Sequence, residues 1–221
     1  MNVEYIDHMG DDLSIVNAAR VSFKNISTSL DERDEKLLKY LAKHKHWTPF
    51  AHTSVSLRMK APLFVVRQLE KHQVGLVWNE VSRRYVDDEP EFFYPEKWRA
   101  RADNIKQGSS QDEFIDRIEY MGDYLRHSQT TDSYVRTTVS ICRITYETLL
   151  KAGVCPEQAR MVLPQNMYTE WVWTGSLSAF HRVCGLRLKE DTQFETRLVA
   201  EDIDMICANL FPKAWEALSE S

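Results

Sequence analysis

The four cysteines of this 221-residue chain stand at 142, 155, 184 and 207. No two form a Cys-x-x-Cys pair, and their spacing fits neither a zinc site nor a disulfide framework, which points to a reducing compartment. No apolar run approaches the ~18–20 residues that a membrane crossing needs. Met1-Asn-Val-Glu-Tyr-Ile-Asp7 lacks the basic-then-apolar order of a secretory signal. The expected location is the cytoplasm. The common catalytic signatures are missing too. There is no Gly-x-Gly-x-x-Gly after a strand and no Gly-rich loop ending in Lys-Ser/Thr, and no Gly-x-Ser-x-Gly elbow. There is no His-Glu-x-x-His, and acidic residues near histidines are not at metal spacing, so a metal-free site is expected. His181 and Cys184 lie one helical turn apart, which reads as packing rather than an activated thiol. Chemistry without an evident nucleophile or metal points to a bound organic cofactor.

What is present describes one domain over residues 1–221. A chain of this length buries roughly 70% of its unfolded surface, so a proper core is available. Hydrophobic residues make up 43% and charged residues 28%, with a net charge of −5. That balance argues against nucleic acid, which needs a broad basic face. A local basic pocket on an acidic protein instead suits a small anion.

The basic pocket has a candidate. Arg67-Gln-Leu-Glu-Lys-His-Gln-Val-Gly-Leu-Val-Trp-Asn-Glu-Val-Ser-Arg-Arg-Tyr85 gathers Arg67, Lys71, His72, Arg83 and Arg84 around Glu70 and Glu80. Arg is the side chain best shaped to grip phosphate through two parallel hydrogen bonds. Val74-Gly-Leu-Val-Trp78 breaks a helix and is too short for another, so a helix running into a long loop is expected. The bland alternative is a surface helix followed by an ion-paired turn.

Around that stretch, periodicity sets the elements. Val3, Tyr5 and Ile6 indicate a first strand. Asp11 or Asp12 caps a helix with Leu13, Ile15, Val16 and Ala19 inward, and Ser29 or Asp31 caps the next, carrying Leu37, Leu38 and Leu41. His52–Lys60 alternates as a strand. Pro62 opens a helix with Leu63, Val66 and Leu69. A mobile loop is expected at 101–111, then helices over about 112–127 and 132–151. Pro156 starts a short helix ending at Arg160. Tyr168–Trp173 alternates as a strand whose tryptophans pack under helices. Ser176 caps a helix reaching Arg187, and a last long helix covers about 190–211.

Several segments in order carry a family resemblance. Ala18-Ala-Arg-Val-Ser22, His46-Trp-Thr-Pro-Phe50, Lys60-Ala-Pro-Leu-Phe-Val-Val-Arg-Gln68, Asn79-Glu-Val-Ser-Arg-Arg-Tyr85, Arg160-Met-Val-Leu-Pro-Gln-Asn-Met-Tyr-Thr169 and Gly185-Leu-Arg187 together resemble the flavin-dependent thymidylate synthases. The family signature is Arg-His-Arg, seven residues, then Ser. This chain reads Lys71-His72-Gln73, with eight residues before Ser82.

The resemblance implies an α/β fold with an antiparallel sheet flanked by helices. It implies a homotetramer with sites between subunits; the lack of a long apolar run and of a broad basic face argues against a membrane or nucleic-acid partner. The implied reaction converts dUMP to dTMP, with methylenetetrahydrofolate as carbon donor and NADPH-reduced FAD as hydride source. By the same resemblance Gln68, Leu69, Glu70, Lys71, Glu80, Val81, Ser82, Arg83, Arg84, Arg160 and Arg187 are the dUMP positions. Thr48, Lys71, His72, Gln73, Glu80, Ser176, Leu177, Ser178 and Arg182 are the FAD positions. The family usually has Gly at Arg83, Asn at Arg182 and His at Asp191. Arg187 is the catalytic candidate, because a permanent guanidinium charge can stabilise negative charge on the pyrimidine ring. Ser82 is expected to bind substrate rather than attack it, since no general base is evident beside it. Two other readings fit the residues: a one-carbon enzyme that makes another 5-substituted pyrimidine, such as a hydroxymethylated one, and a non-catalytic RNA- or nucleotide-binding module.

Overall fold

A computed structural model describes residues 1–86, 88–102, 108–122 and 125–221, and the side chains outside 121–126. The chain forms two compact units. One comprises Met1–Lys60, Arg67–Glu80 and Glu170–Ser221, the other Ala61–Val66 and Val81–Thr169.

The first unit holds a four-stranded sheet with strands β1 (Asn2–Met9), β2 (Ser54–Pro62), β3 (Leu76–Glu80) and β6 (Tyr168–Ser176), in the order β1-β2-β6-β3. The pairs β1–β2 and β3–β6 are antiparallel. The expected alternation is plain in β2, where Val55, Leu57 and Met59 are all fully buried. In β6 Trp171 and Trp173 turn inward in the same way, 2% and 0% exposed, so these tryptophans are core. β3 corrects the expectation of a long loop. Gly75 takes a left-handed φ of +76°, which lets the chain leave α3 (Leu63–Leu69) and turn into a strand against β6.

Helices α1 (Asp12–Arg20), α2 (Glu32–Lys43), α6 (Leu177–Arg187), α7 (Phe194–Leu210) and α8 (Pro212–Ser219) belong to this unit. Asp11 caps α1 and Asp31 caps α2, each with a reciprocal capping box. Ser176 caps α6 by accepting from the Ala179 N–H at 3.3 Å. The long final helix expected at 190–211 is divided: Pro212 at the first turn of α8 starts a new helix after Phe211. Helical spacing in the sequence predicts a buried stripe of Phe194, Leu198, Ile203, Ile206 and Leu210, and the stripe observed in α7 is turned from it. It runs through Val199, Ala200, Ile203 and Cys207, while Phe194, Leu198, Ile206 and Leu210 are only half-buried.

The second unit carries α4 (Thr131–Lys151), α5 (Pro156–Ala159) and a hairpin of β4 (Arg117–Gly122) and β5 (Leu125–Thr130). The hairpin replaces the helix expected at 112–127. Ile118 and Tyr120 are half-buried with Glu119 exposed between them. This period of two decides for strand over the helical spacing of Ile115 and Ile118. Tyr120 packs on His127 across the pair, with ring centroids 5.4 Å apart. The core of this unit is Tyr146, Ala159, Leu163 and Met167 with Phe92 and Val162 against them. Much of the loop expected at 101–111 lies outside the described residues.

Candidate functional site

The turn from α3 into β3 is the centre of the first unit's chemistry. The His72 N–H donates to the Leu69 carbonyl at 3.0 Å and the Leu76 N–H to the Gln73 carbonyl at 3.2 Å, closing a tight reversal. It places Glu70, Lys71, His72, Gln73 and Glu80 around one cavity of about 430 Å³, completed by Leu76, Trp78 and Trp173. Five expected site residues therefore meet in one place.

Arg187, at the end of α6, reaches the same turn. Its Nε–H donates to His72 Nε2 at 3.0 Å and its Nη2–H to the Gln68 carbonyl at 2.8 Å. Arginine has only donors, so His72 Nε2 must be the lone-pair nitrogen and the ring proton sits on Nδ1. Burial first, then the charges of Arg187 and Arg182, hold His72 below its ordinary value, so the imidazole is neutral at neutral pH. Burial also lowers Arg187, which stays charged near neutrality. The Gln68 side chain donates to Gln193, and Gln193 donates to the buried Glu195 at 3.1 Å. Leu69 is fully buried, so it packs behind the site's surface. Lys71 and Glu70 are 3.4 Å apart with both side chains largely exposed, a weak pair.

A second, larger cavity of about 1140 Å³ lies in the same unit, with Leu76 in the wall of both. It is lined by His46, Trp47 and Phe50, by Val74 and Gly75, and by Ser176, Ser178 and Arg182. Thr48 opens the one-turn 3-10 helix Pro49–His52 but does not line the cavity. Leu177 is fully buried and Ser178 is 5% exposed. The Arg182 Nη2–H donates to the Val74 carbonyl at 2.6 Å, so the guanidinium is anchored to the turn. Gly75 makes the cradle: a Cβ there would stand 3.2 Å from Ala179 Cβ and 3.3 Å from Ser176 Oγ. A cavity somewhat above the usual ligand-pocket range of about 300–1,000 Å³, with aromatic walls and the cations Lys45 and Arg182, fits a large planar anion such as a flavin nucleotide. Burial holds His181, also in its wall, below the ordinary histidine value.

The remaining expected residues belong to the second unit. Ser82–Tyr85 forms a turn closed by the Tyr85 N–H to the Ser82 carbonyl at 2.9 Å. The Ser82 hydroxyl accepts from the Arg84 backbone N–H and Nε–H, both at 3.3 Å. No histidine or carboxylate among the described residues pairs with it. Arg84 also lies 3.6 Å from Glu157. Arg83 donates to Asp88 Oδ1 at 2.8 Å, so this guanidinium anchors its own loop. Val81 is exposed. Arg160 begins the 3-10 turn Arg160–Val162 and is exposed, without a carboxylate partner among the described residues. No cluster of three metal-ligating side chains occurs among the described residues. Trp78 and Gly75 were absent from the expected site. The alternation of Leu76, Trp78 and Glu80 was the signal that could have placed Trp78 there.

Compared with known proteins, residues 4–213 match the family described as thymidylate synthase complementing protein. The flavin-dependent thymidylate synthase of Thermus thermophilus is 36% identical over 218 residues, covering 99% of this chain and 75% of that protein. The enzyme of the same name from Kosmotoga olearia is 35% identical over 97% of this chain and 88% of its own length. Among solved structures, the UMP/dUMP methylase PolB from Streptomyces cacaoi, bound with 5-Br dUMP, is similar with a TM-score of 0.81. It is 28% identical and covers 99% of this chain and 94% of its own. With a match from residue 4 to residue 213 and relatives alike over nearly the whole chain, the protein belongs to the thymidylate synthase complementing protein family.

Proposed function

We infer that the protein is a flavin-dependent thymidylate synthase, which methylates dUMP to dTMP, and that the whole chain acts as one functional domain. The observation that carries this reading is the convergence of Glu70, Lys71, His72, Gln73 and Glu80 on one cavity, with Arg187 fixed beside it. The relatives are named for the flavin-dependent reaction that this arrangement of side chains alone does not specify. FAD is assigned to the larger cavity and its neighbours Lys71, His72, Gln73 and Glu80. There Ser176, Ser178 and Arg182 would hold it and Thr48 would stand beside it, with Leu177 packed behind them. When bound, the flavin supplies the hydride, with NADPH as its reductant and methylenetetrahydrofolate as the carbon source.

The chain's own residues then have defined tasks. Ser82, Arg84 and Arg160 bind and neutralise the dUMP phosphate, with Arg83 holding their loop. Gln68, Glu70 and Glu80 orient the nucleotide, and Val81 packs beside it. Arg187 holds positive charge where the pyrimidine ring becomes electron-rich. His72, proton on Nδ1, keeps that guanidinium in place. The active form is assigned as a homotetramer in the cytoplasm, and no helix among the described residues is long and apolar enough to cross a membrane.

The test is product analysis. Purified protein with FAD, NADPH, methylenetetrahydrofolate and dUMP should yield dTMP by mass spectrometry. UMP is assayed in parallel, because the similar structure from Streptomyces cacaoi is that of a UMP/dUMP methylase. A hydroxymethylated product would overturn the assignment to thymidylate synthesis. A colourless protein that binds neither FAD nor nucleotide would overturn the flavin assignment itself.

A further inference from the structure

We propose that Trp78 is a positioning residue, which holds the Glu80 carboxylate in the wall of the smaller cavity and uses the buried Trp171 ring as its platform. The proposal rests on the nucleotide reading above.

The arrangement follows from strand geometry. Side chains two apart on a strand share a face, so Leu76, Trp78 and Glu80 point into the cavity together. Their alternates point away, with Val77 68% exposed. Antiparallel register sets Trp78 opposite Trp173 and Glu80 opposite Trp171. The Trp78 ring lies on the Trp171 ring with centroids 4.3 Å apart and planes at 18°, and meets Trp173 edge-on at 5.4 Å. Because Trp171 and Trp173 are 2% and 0% exposed, this platform cannot shift without opening the core.

Its indole is held in turn against the carboxylate. Trp78 Nε1–H donates to Glu80 Oε2 at 3.2 Å. The indole nitrogen is only a donor and an ionised carboxylate only an acceptor, so the bond has one polarity. One such bond restricts the carboxylate's orientation, and a carboxylate oxygen can accept more than one hydrogen bond. A side chain restrained in this way has less rotamer freedom to lose when a ligand binds. Gly175 on β6 is part of the same device. A Cβ on Gly175 would stand 2.3 Å from Leu76 Cδ2, so the glycine opposite Leu76 lets β3 lie close against β6 and fixes where Trp78 lands.

The experiment is a double-mutant cycle on dUMP affinity, measured by calorimetry on the flavin-loaded protein. W78F keeps an aromatic ring on the platform and removes the N–H. It should weaken dUMP by about five- to tenfold, the scale of one hydrogen bond. E80A, which removes the acceptor, should weaken it at least as much, and W78F/E80A should be no weaker than E80A alone. W78H, which keeps a ring N–H, should recover part of the loss. Should W78F not fold, W78Y takes its place with the same expected outcomes. Wild-type affinity in W78F, an unaffected E80A, or additive losses in the double variant would each overturn the proposal. A wild-type protein that binds no dUMP would instead show that the nucleotide reading itself is wrong.

Discussion

Arg187 and His72 show how single residues at the site depend on each other. The guanidinium has two recorded anchors, His72 Nε2 and the Gln68 carbonyl. The first exists only while the imidazole is neutral. The fold prefers that state, because burial and two nearby arginines hold His72 below 6.5. The linkage follows in sign. A group whose folded value is depressed contributes stability above its unfolded value, and that contribution is lost as pH falls through the folded value. Acid should therefore release Arg187 before it unfolds the chain. H72A should lower kcat/KM by about tenfold or more, the scale of a charge-assisted hydrogen bond, and should remove part of the acid limb of the pH–rate profile. An acid limb identical in H72A and wild type would assign the titration to another group.

At the scale of elements, Asp12 makes a connection that no local pattern discloses. It stands at the first turn of α1, yet its carboxylate accepts the Lys213 N–H at 3.0 Å and the Ala214 N–H at 2.9 Å, at the start of α8. Asp11 caps α1, so the neighbouring aspartates serve two different helices. D12A should cost about 0.5–2 kcal/mol, as loss of a helix cap does, with D12N costing less because its amide oxygen still accepts. Thermal unfolding of the two variants checks the order; equal losses would mean that burial of the side chain matters and the bonds do not.

The same scale shows what the sequence made legible. Helix starts at Asp11, Asp31 and Ser176 and the alternation of β2 and β6 were all readable, because caps and period-two burial are local. The hairpin at 117–130 was missed because Ile115, Ile118 and Met121 also recur at helical spacing, and cross-strand pairing such as Tyr120 on His127 is non-local. β3 was missed for a related reason. A five-residue edge strand has too few alternations to announce itself, and only β6 gives it a partner. The expected site residues could be named from the sequence but not placed together, since Gln68, His72 and Arg187 meet across 115 or more positions.

For the whole molecule, the apolar surface bears on assembly. Phe23 is 84% exposed, Ile26 77%, Val21 71%, and on α4 Ile141 and Ile144 are 60% and 53% exposed. Scattered exposed apolar residues are ordinary, but clusters of large ones mark contact surfaces. Val21, Phe23 and Ile26 fall within one short stretch, and Ile141 and Ile144 are one turn apart on one helix face. The proposed homotetramer covers such surfaces with further copies of the same chain. Light scattering on the flavin-loaded protein should give a mass near four times the 25.9 kDa of one chain. I141E/I144E places two carboxylates on that face of α4 without touching either cavity's lining residues. It should shift the protein to smaller species. If the sites need more than one chain, FAD affinity and dTMP formation fall together with the mass. A variant that dissociates to single chains yet keeps both would show that each chain carries a complete site.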